Sequence, residues 1–229
     1  MVTMIRTAES TFADRAEKAR RDIIYYGRAL AESGFHAALA GNISTRIDDN
    51  RILCTCAGSD KGDLQDGDLV VCDLDGKPLE GEARPTSEIL MHLTVYQARS
   101  DVRAVIHAHP PTATAFAAAS ESLNTLHLPE MLVWLGPVAL VPYGSPGTPE
   151  LSAQLQPYLT HHDGFLLENH GALVVGATLR ECRQKMELIE QNARITLMVR
   201  MLGKPPFVLA AHQLDFLQAL RTRLRHEKD

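Results

Sequence analysis

The segment Ala104-Val105-Ile106-His107-Ala108-His109-Pro110-Pro111 places two histidines one residue apart at the end of an apolar run. Residues i and i+2 of a β-strand share a face, so His107 and His109 would direct both imidazoles at one point, which is how a strand offers a pair of metal ligands. The same spacing also suits an ordinary strand with one buried and one hydrogen-bonded surface histidine, and the segment alone leaves both readings open. His170, in Glu168-Asn169-His170-Gly171 between two apolar runs, lies where the chain must turn tightly. It is the best candidate for a third ligand, with a turn-capping histidine as the alternative. Three neutral imidazoles and one open position would make a metal ion a good Lewis acid for a carbonyl or an enediolate.

Such a centre needs a group that moves protons. Glu88 opens a helix that precedes the histidine strand, so a helix-then-strand return could bring its carboxylate back to His107 and His109. Its plainer role is to complement the positive end of that helix. Small donors complete the set: Asn42 in Gly41-Asn42-Ile43-Ser44, Gly58 with Ser59 and Lys61 after it, and Thr86 and Ser87 at the helix start. Backbone N–H groups, an amide and hydroxyls of this kind can hold a phosphate with little basic charge, although each singly means only a turn. His36, His127, His161, His162, His212 and His226 read as loop or polar-face residues, and His92 lies on a helix that could turn it either way.

The elements that must position these residues follow from periodicity and punctuation. Helical spacing runs from about Phe12 to Ser33 and stops at Gly34. Strands are expected from Ile43 through a polar turn to Thr55, over Asp68 to Leu74, Val102 to His109, Val138 to Tyr143, Gly164 to Glu168 and Ala172 to Val175. Thr86 or Ser87 should cap the helix that runs from Ile89 to Arg99, and Pro110 or Pro111 opens an alanine-rich helix. Thr148 with Pro149 starts another, and Thr178 with Glu181 has the form of a capping box for the longest helix, which Gly203 ends. A final amphipathic helix spans about Ala210 to Arg225. Interleaved helices and strands predict an α/β fold with a sheet covered on both faces.

A chain of 229 residues with 45% hydrophobic and 22% charged residues fits one soluble globular domain. The net charge of −5 argues against nucleic-acid binding driven by phosphate neutralisation. No run is long and apolar enough to span a bilayer, and the N-terminus lacks a secretory pattern, so a cytoplasmic location is expected. Cys54, Cys56, Cys72 and Cys182 suit a reducing compartment. The Cys54-x-Cys56 pair has no second pair at zinc-site spacing, and these thiols read as small apolar strand residues.

Taken together, Gly41-Asn42-Ile43-Ser44, Thr55-Cys56-Ala57-Gly58, Pro85-Thr86-Ser87-Glu88, His107-Ala108-His109-Pro110 and Glu168-Asn169-His170-Gly171 resemble the class II aldolase and adducin family over roughly Phe12 to Gly203. The resemblance implies a three-layer α/β/α sandwich around a mostly antiparallel sheet, forming a single domain with a core of about 12–203 and a C-terminal helix of about 210–225. It implies Zn2+, or another divalent ion such as Mn2+ or Co2+, on His107, His109 and His170. Glu88 would carry the proton, and Asn42, Gly58, Thr86 and Ser87 would bind the substrate phosphate. The implied reaction is reversible cleavage of a ketose 1-phosphate to dihydroxyacetone phosphate and an aldehyde through a metal-stabilised enediolate, in a homotetramer with interfacial sites. Decarboxylation of a 3-oxo sugar-acid phosphate, and dehydration or 4-epimerisation of a ketose phosphate, reuse the same logic. A non-catalytic, adducin-like interaction module is the alternative from another class. Two positions depart from the family pattern: Ala57 stands where phosphate-binding relatives carry a hydroxyl, and no tyrosine follows Tyr158 to serve as the aldolases' acid.

Overall fold

The computed structural model describes residues 2–79, 81–123 and 128–226, so the predicted surface histidine His127 lies outside the described residues. Seven strands form one sheet: β1 (Asn42–Arg46), β2 (Arg51–Thr55), β3 (Leu69–Asp73), β4 (Ala104–Ala108), β5 (Val138–Val141), β6 (Gly164–Leu167) and β7 (Gly171–Gly176). Their order is β3-β2-β1-β4-β7-β6-β5. Every neighbouring pair is antiparallel except β5 with β6. The mostly antiparallel sheet flanked by helices matches the expected three layers.

Alternation along the strands builds two separate cores. On β4, Ala104, Ile106 and Ala108 face one layer while Val105 faces the other. The first layer holds α1 (Val2–Glu32), α3 (Pro111–Ala118) and α5 (Leu179–Met201), through residues such as Ile23, Leu30, Phe116 and Ile189. The second holds α2 (Ile89–Ala98) and α4 (Pro149–Leu155), through Met91, Leu93, Val95, Leu151 and Leu155. Each fully buried leucine or isoleucine contributes roughly 1.5–3 kcal/mol, so either layer alone outweighs any single polar contact in the molecule. A last helix, α6 (Ala211–His226), packs near the short π-helical turn Met131–Leu135.

Most boundaries match the periodicity, and the differences are local. α1 begins well ahead of Phe12, because no glycine or proline interrupts the preceding residues; Gly34, at φ 76°, ends it as expected. Thr148 and Thr178 both cap as predicted, accepting from Glu150 N and Glu181 N. α2 starts at Ile89 as expected, but its N-cap is Glu88 rather than Thr86 or Ser87, with no side-chain cap bond. The carboxylate that would normally serve the helix end is directed elsewhere.

α3 follows His109 directly, and its N-cap is Pro110, which has no side chain to offer. Glu190 of α5 supplies the cap instead: its buried carboxylate accepts from Thr112 N at 3.0 Å and Ala113 N at 2.9 Å, and pairs with Arg194 at 2.7 Å. This ties the strand-to-helix turn after His109 to the long helix behind the sheet. Glu190→Ala should therefore cost about 1–3 kcal/mol of stability, the range for a lost cap and orphaned buried donors, read as a lower urea midpoint. An unchanged midpoint would show that the cap is dispensable.

Candidate active site

β4 and β7 lie side by side, with Ala108 opposite Ala172, so His109 at the end of one strand meets His170 at the start of the other. β1 borders β4 on its other side, with Asn42 opposite His107. Asn169 takes a left-handed φ of 53°, which swings His170 back over the sheet edge. Gly171 then leaves room for the neighbouring ring: a Cβ there would lie 2.5 Å from His109 Cδ2 and 2.8 Å from the Ala108 carbonyl oxygen. The imidazoles of His107, His109 and His170 converge, each offering one nitrogen within 4.8 Å of the others.

The three rings suit a cation. His107 Nδ1 donates to the Ala172 carbonyl at 2.9 Å, which fixes the hydrogen there and leaves Nε2 as a lone pair pointing at the cluster. Its Nε2 stands 3.0 Å from His109 Nε2. Burial lowers the proton affinity of all three rings, and the nearby imidazoles lower that of His107 and His109 further, His109 to about 4. Neutral, closely packed nitrogens with a second-layer carbonyl on His107 are the donor set of a divalent metal site.

Glu88 completes the cluster. Its Oε2 lies 3.4 Å from His107 Nε2 and its Oε1 lies 3.3 Å from His170 Nε2. Oε2 also accepts from Asn42 Nδ2 at 2.7 Å, whereas Oε1 is buried without a hydrogen-bond partner. This carboxylate is in place to give or take a proton beside whatever the histidines hold.

The family model "Class II Aldolase and Adducin N-terminal domain" matches residues 21–197. The chain belongs to the class II aldolase and adducin family. Among its relatives, a Haemophilus influenzae 3-oxo-tetronate 4-phosphate decarboxylase is 32% identical over 76% of this chain and 84% of its own length. A Methanococcus vannielii L-fuculose phosphate aldolase is 35% identical over 80% of this chain and 98% of its own. A solved L-fuculose 1-phosphate aldolase superposes with a TM-score of 0.81 at 30% identity, covering 88% of this chain and 95% of that one. The chain is a class II, metal-dependent aldolase-type lyase, and the scaffold reading has no further support.

In this class II aldolase-type chain Asn42, Thr86 and Ser87 lie beside Glu88, while Gly58 stands further off. The stretch before α2 runs beside the end of β2: Thr86 N donates to Thr55 O at 2.9 Å and Ala57 N to Arg84 O at 3.1 Å. The register pairs Thr55 with Thr86, Cys56 with Pro85 and Ala57 with Arg84, so Gly58, exposed at φ 76°, lies past this pairing and is not brought beside Thr86 and the exposed Ser87. Thr86 Oγ1 accepts from Glu88 N at 3.3 Å, so that hydroxyl steadies the turn that carries Glu88. Asn42 is 3% exposed and gives its amide to Glu88 and His92.

One histidine differs from expectation, and one left open is now placed. His36 sits in a loop yet is 7% exposed, packed against Gly41, because the left-handed turn at Gly41 folds the loop over the strand that carries His107. His92, left undecided by the sequence, is fully buried, and its ring nitrogens meet Asn42 Oδ1 and Ser44 Oγ. A signal for it was present: Glu88, His92 and Tyr96 are spaced by four and share one face of α2.

Burial lowers His36 from its ordinary 6.5 to about 4 and His92 to about 3. The unfolded chain therefore takes up protons below about pH 6.5 that the folded chain refuses. Stability is complete above that pH and falls as the pH drops toward 4, by up to about 1.4 kcal/mol per pH unit for each such histidine. Urea midpoints of metal-free protein should be clearly lower at pH 5 than at pH 7.5, and equal midpoints would contradict the burial of these rings in a neutral state.

Proposed function

We propose that this lyase removes carbon dioxide from a small phosphorylated 3-oxo sugar acid, with Glu88, entering the step protonated, delivering its proton to the carbon left behind. The observation that carries the reading is the Glu88 carboxylate set 3.3–3.4 Å from the Nε2 atoms of His170 and His107. His107, His109 and His170 would hold a divalent metal, which when bound supplies a Lewis acid for the substrate's carbonyl oxygen. Zinc is the first choice, and an all-imidazole set also accepts manganese or cobalt. Breaking the bond to the carboxylate carbon leaves its electron pair next to that carbonyl, and carbon dioxide departs without needing a proton. The reaction then requires one proton at one carbon, and Glu88 is the group in reach. Asn42, Thr86 and Ser87 would receive the phosphate, with the second Nδ2 hydrogen of Asn42 and backbone N–H groups taking the place of the hydroxyl that Ala57 lacks.

The decarboxylase name carried by the Haemophilus relative supports this substrate class. Retro-aldol cleavage of a ketose 1-phosphate is the second reading, favoured by the aldolase names of the Methanococcus relative and the superposed structure. It uses the same Glu88 proton but needs another group to remove one from the substrate hydroxyl. For the setting, a cytoplasmic homotetramer with interfacial sites is proposed; four free thiols and exposed Met198, Met201, Phe207 and Phe216 fit it. Among the described residues, no helix is long and apolar enough to cross a membrane.

Metal-loaded protein given 3-oxo sugar-acid phosphates should release carbon dioxide without an aldehyde. Release of an aldehyde from ketose 1-phosphates, with no carbon dioxide from any oxo acid, would replace the first reading by the second. Glu88→Gln should lower kcat by roughly 10²–10⁴-fold while metal content is kept, as expected for loss of a general acid–base group. His107→Ala should instead lower the metal bound per chain, measured by elemental analysis; full stoichiometry in that variant would remove His107 from the ligand set.

A further inference from the structure

Behind Glu88 lies a buried line of hydrogen bonds that runs from Tyr96 through Ser44, His92 and Asn42 to the carboxylate. The chemistry of donors and acceptors sets the direction of each link once one end is known. Glu88 Oε2 only accepts, whether the carboxyl proton is absent or sits on Oε1, so Asn42 turns its Nδ2 toward it, at 2.7 Å. Asn42 Oδ1 then faces His92 Nε2 at 2.5 Å, and an amide oxygen has no hydrogen to give, so Nε2 must carry the ring hydrogen. His92 Nδ1 is left with a lone pair and accepts from Ser44 Oγ at 2.6 Å. Ser44, its hydrogen committed, accepts from the Tyr96 hydroxyl at 2.8 Å. All four residues are at most 3% exposed, so water does not compete for these groups.

The line depends on a neutral ring, because a doubly protonated His92 would donate at both nitrogens and have nothing to receive from Ser44. Burial keeps the ring neutral, lowering its pKa to about 3. The setting is otherwise apolar: Met91, Leu93 and Val95 of the same helix join the core between α2 and the sheet. A polar line in such a layer adds nothing that well-packed apolar side chains could not supply to stability. What it adds is orientation at its open end.

We propose that His92 is a positioning residue for Glu88, acting through the Asn42 amide so that Oε2 is held and Oε1 is the oxygen that carries the proton. The assignment rests on the reading of Glu88 as the proton carrier. Oε1 is the buried oxygen without a hydrogen-bond partner and lies on the His170 side of the cluster, at 3.3 Å. Without the His92 donor, the Asn42 amide loses the contact that fixes which end it shows to Glu88, and a carboxylate facing an amide oxygen is held in the wrong place.

Nitrogen NMR of histidine-labelled protein should find His92 in the Nε2–H tautomer; a ring protonated on Nδ1 alone would overturn the direction of the line, whatever the enzyme's substrate. His92→Phe and Ser44→Ala should each lower kcat by about 10–100-fold with metal content kept. His92→Gln, whose amide can both donate to Asn42 and accept from Ser44, should recover most of the loss that His92→Phe causes. In a Glu88→Gln background, His92→Phe should produce no further fall, since the pathway through the carboxylate is already broken. Equal falls in both backgrounds, or a loss that follows metal content, would overturn the positioning role alone. Full activity in Glu88→Gln would instead remove the proton-carrying role of Glu88 and this assignment with it, leaving the tautomer result standing.

Discussion

Everything in the site depends on holding three imidazoles and one carboxylate in contact, nearly dry, at the ends of two central strands. His107 is completely buried and Glu88 is 8% exposed. Packed nitrogens with lone pairs aimed at one another are tolerable only if something positive sits among them or the rings stay unprotonated. The chain keeps the rings unprotonated, with the His107 hydrogen tied off on its far side, and sets the Glu88 oxygens against two of the rings, so the positive charge has to come from outside. The arrangement is costly without a cation and well suited to one.

The sheet makes this geometry affordable because the nitrogen-bearing side chains are anchored in a ladder or at its end. His107 lies within β4, His170 one residue before β7, and Asn42 at the first position of β1. The carboxylate is the exception, since it comes from the N-cap of a helix. Its exact placement therefore depends on contacts that backbone pairing does not supply, and the Asn42 amide is the first of them.

Much of this was legible in the residues. Strand periodicity placed His107 and His109 on one strand, the turn at Asn169-His170-Gly171 put a third ring beside them, and helix punctuation set Glu88 upstream. The motifs also carried the family. What stayed hidden was set by tertiary contacts: that Glu88 caps nothing and instead faces the histidines, that Asn42 spends its amide on Glu88, and that His36 is covered by a loop folding at Gly41. Glu190 as a remote cap for α3 lies far along the sequence from the donors it serves, beyond the reach of any local pattern. His92 stood on a recognisable helical stripe, but a stripe of mixed polarity reads equally as a surface face until the strand opposite it is known to carry Asn42 and Ser44.

The missing side chain at Gly171 has a wider effect than letting two strands close. With His109 Cδ2 where a Cβ would stand, neither ring nor backbone can drift independently. The histidine cluster consequently shares the slow opening of the central strands rather than the fast motion of the loops around it. On the proposed reading of the site, substrate is accommodated at a rim formed by the exposed Ser87 and by Gly147, which packs against the Ser87 carbonyl, while the histidine floor moves little. Change in what the enzyme accepts can therefore accumulate in those rim segments without disturbing how the bond is broken.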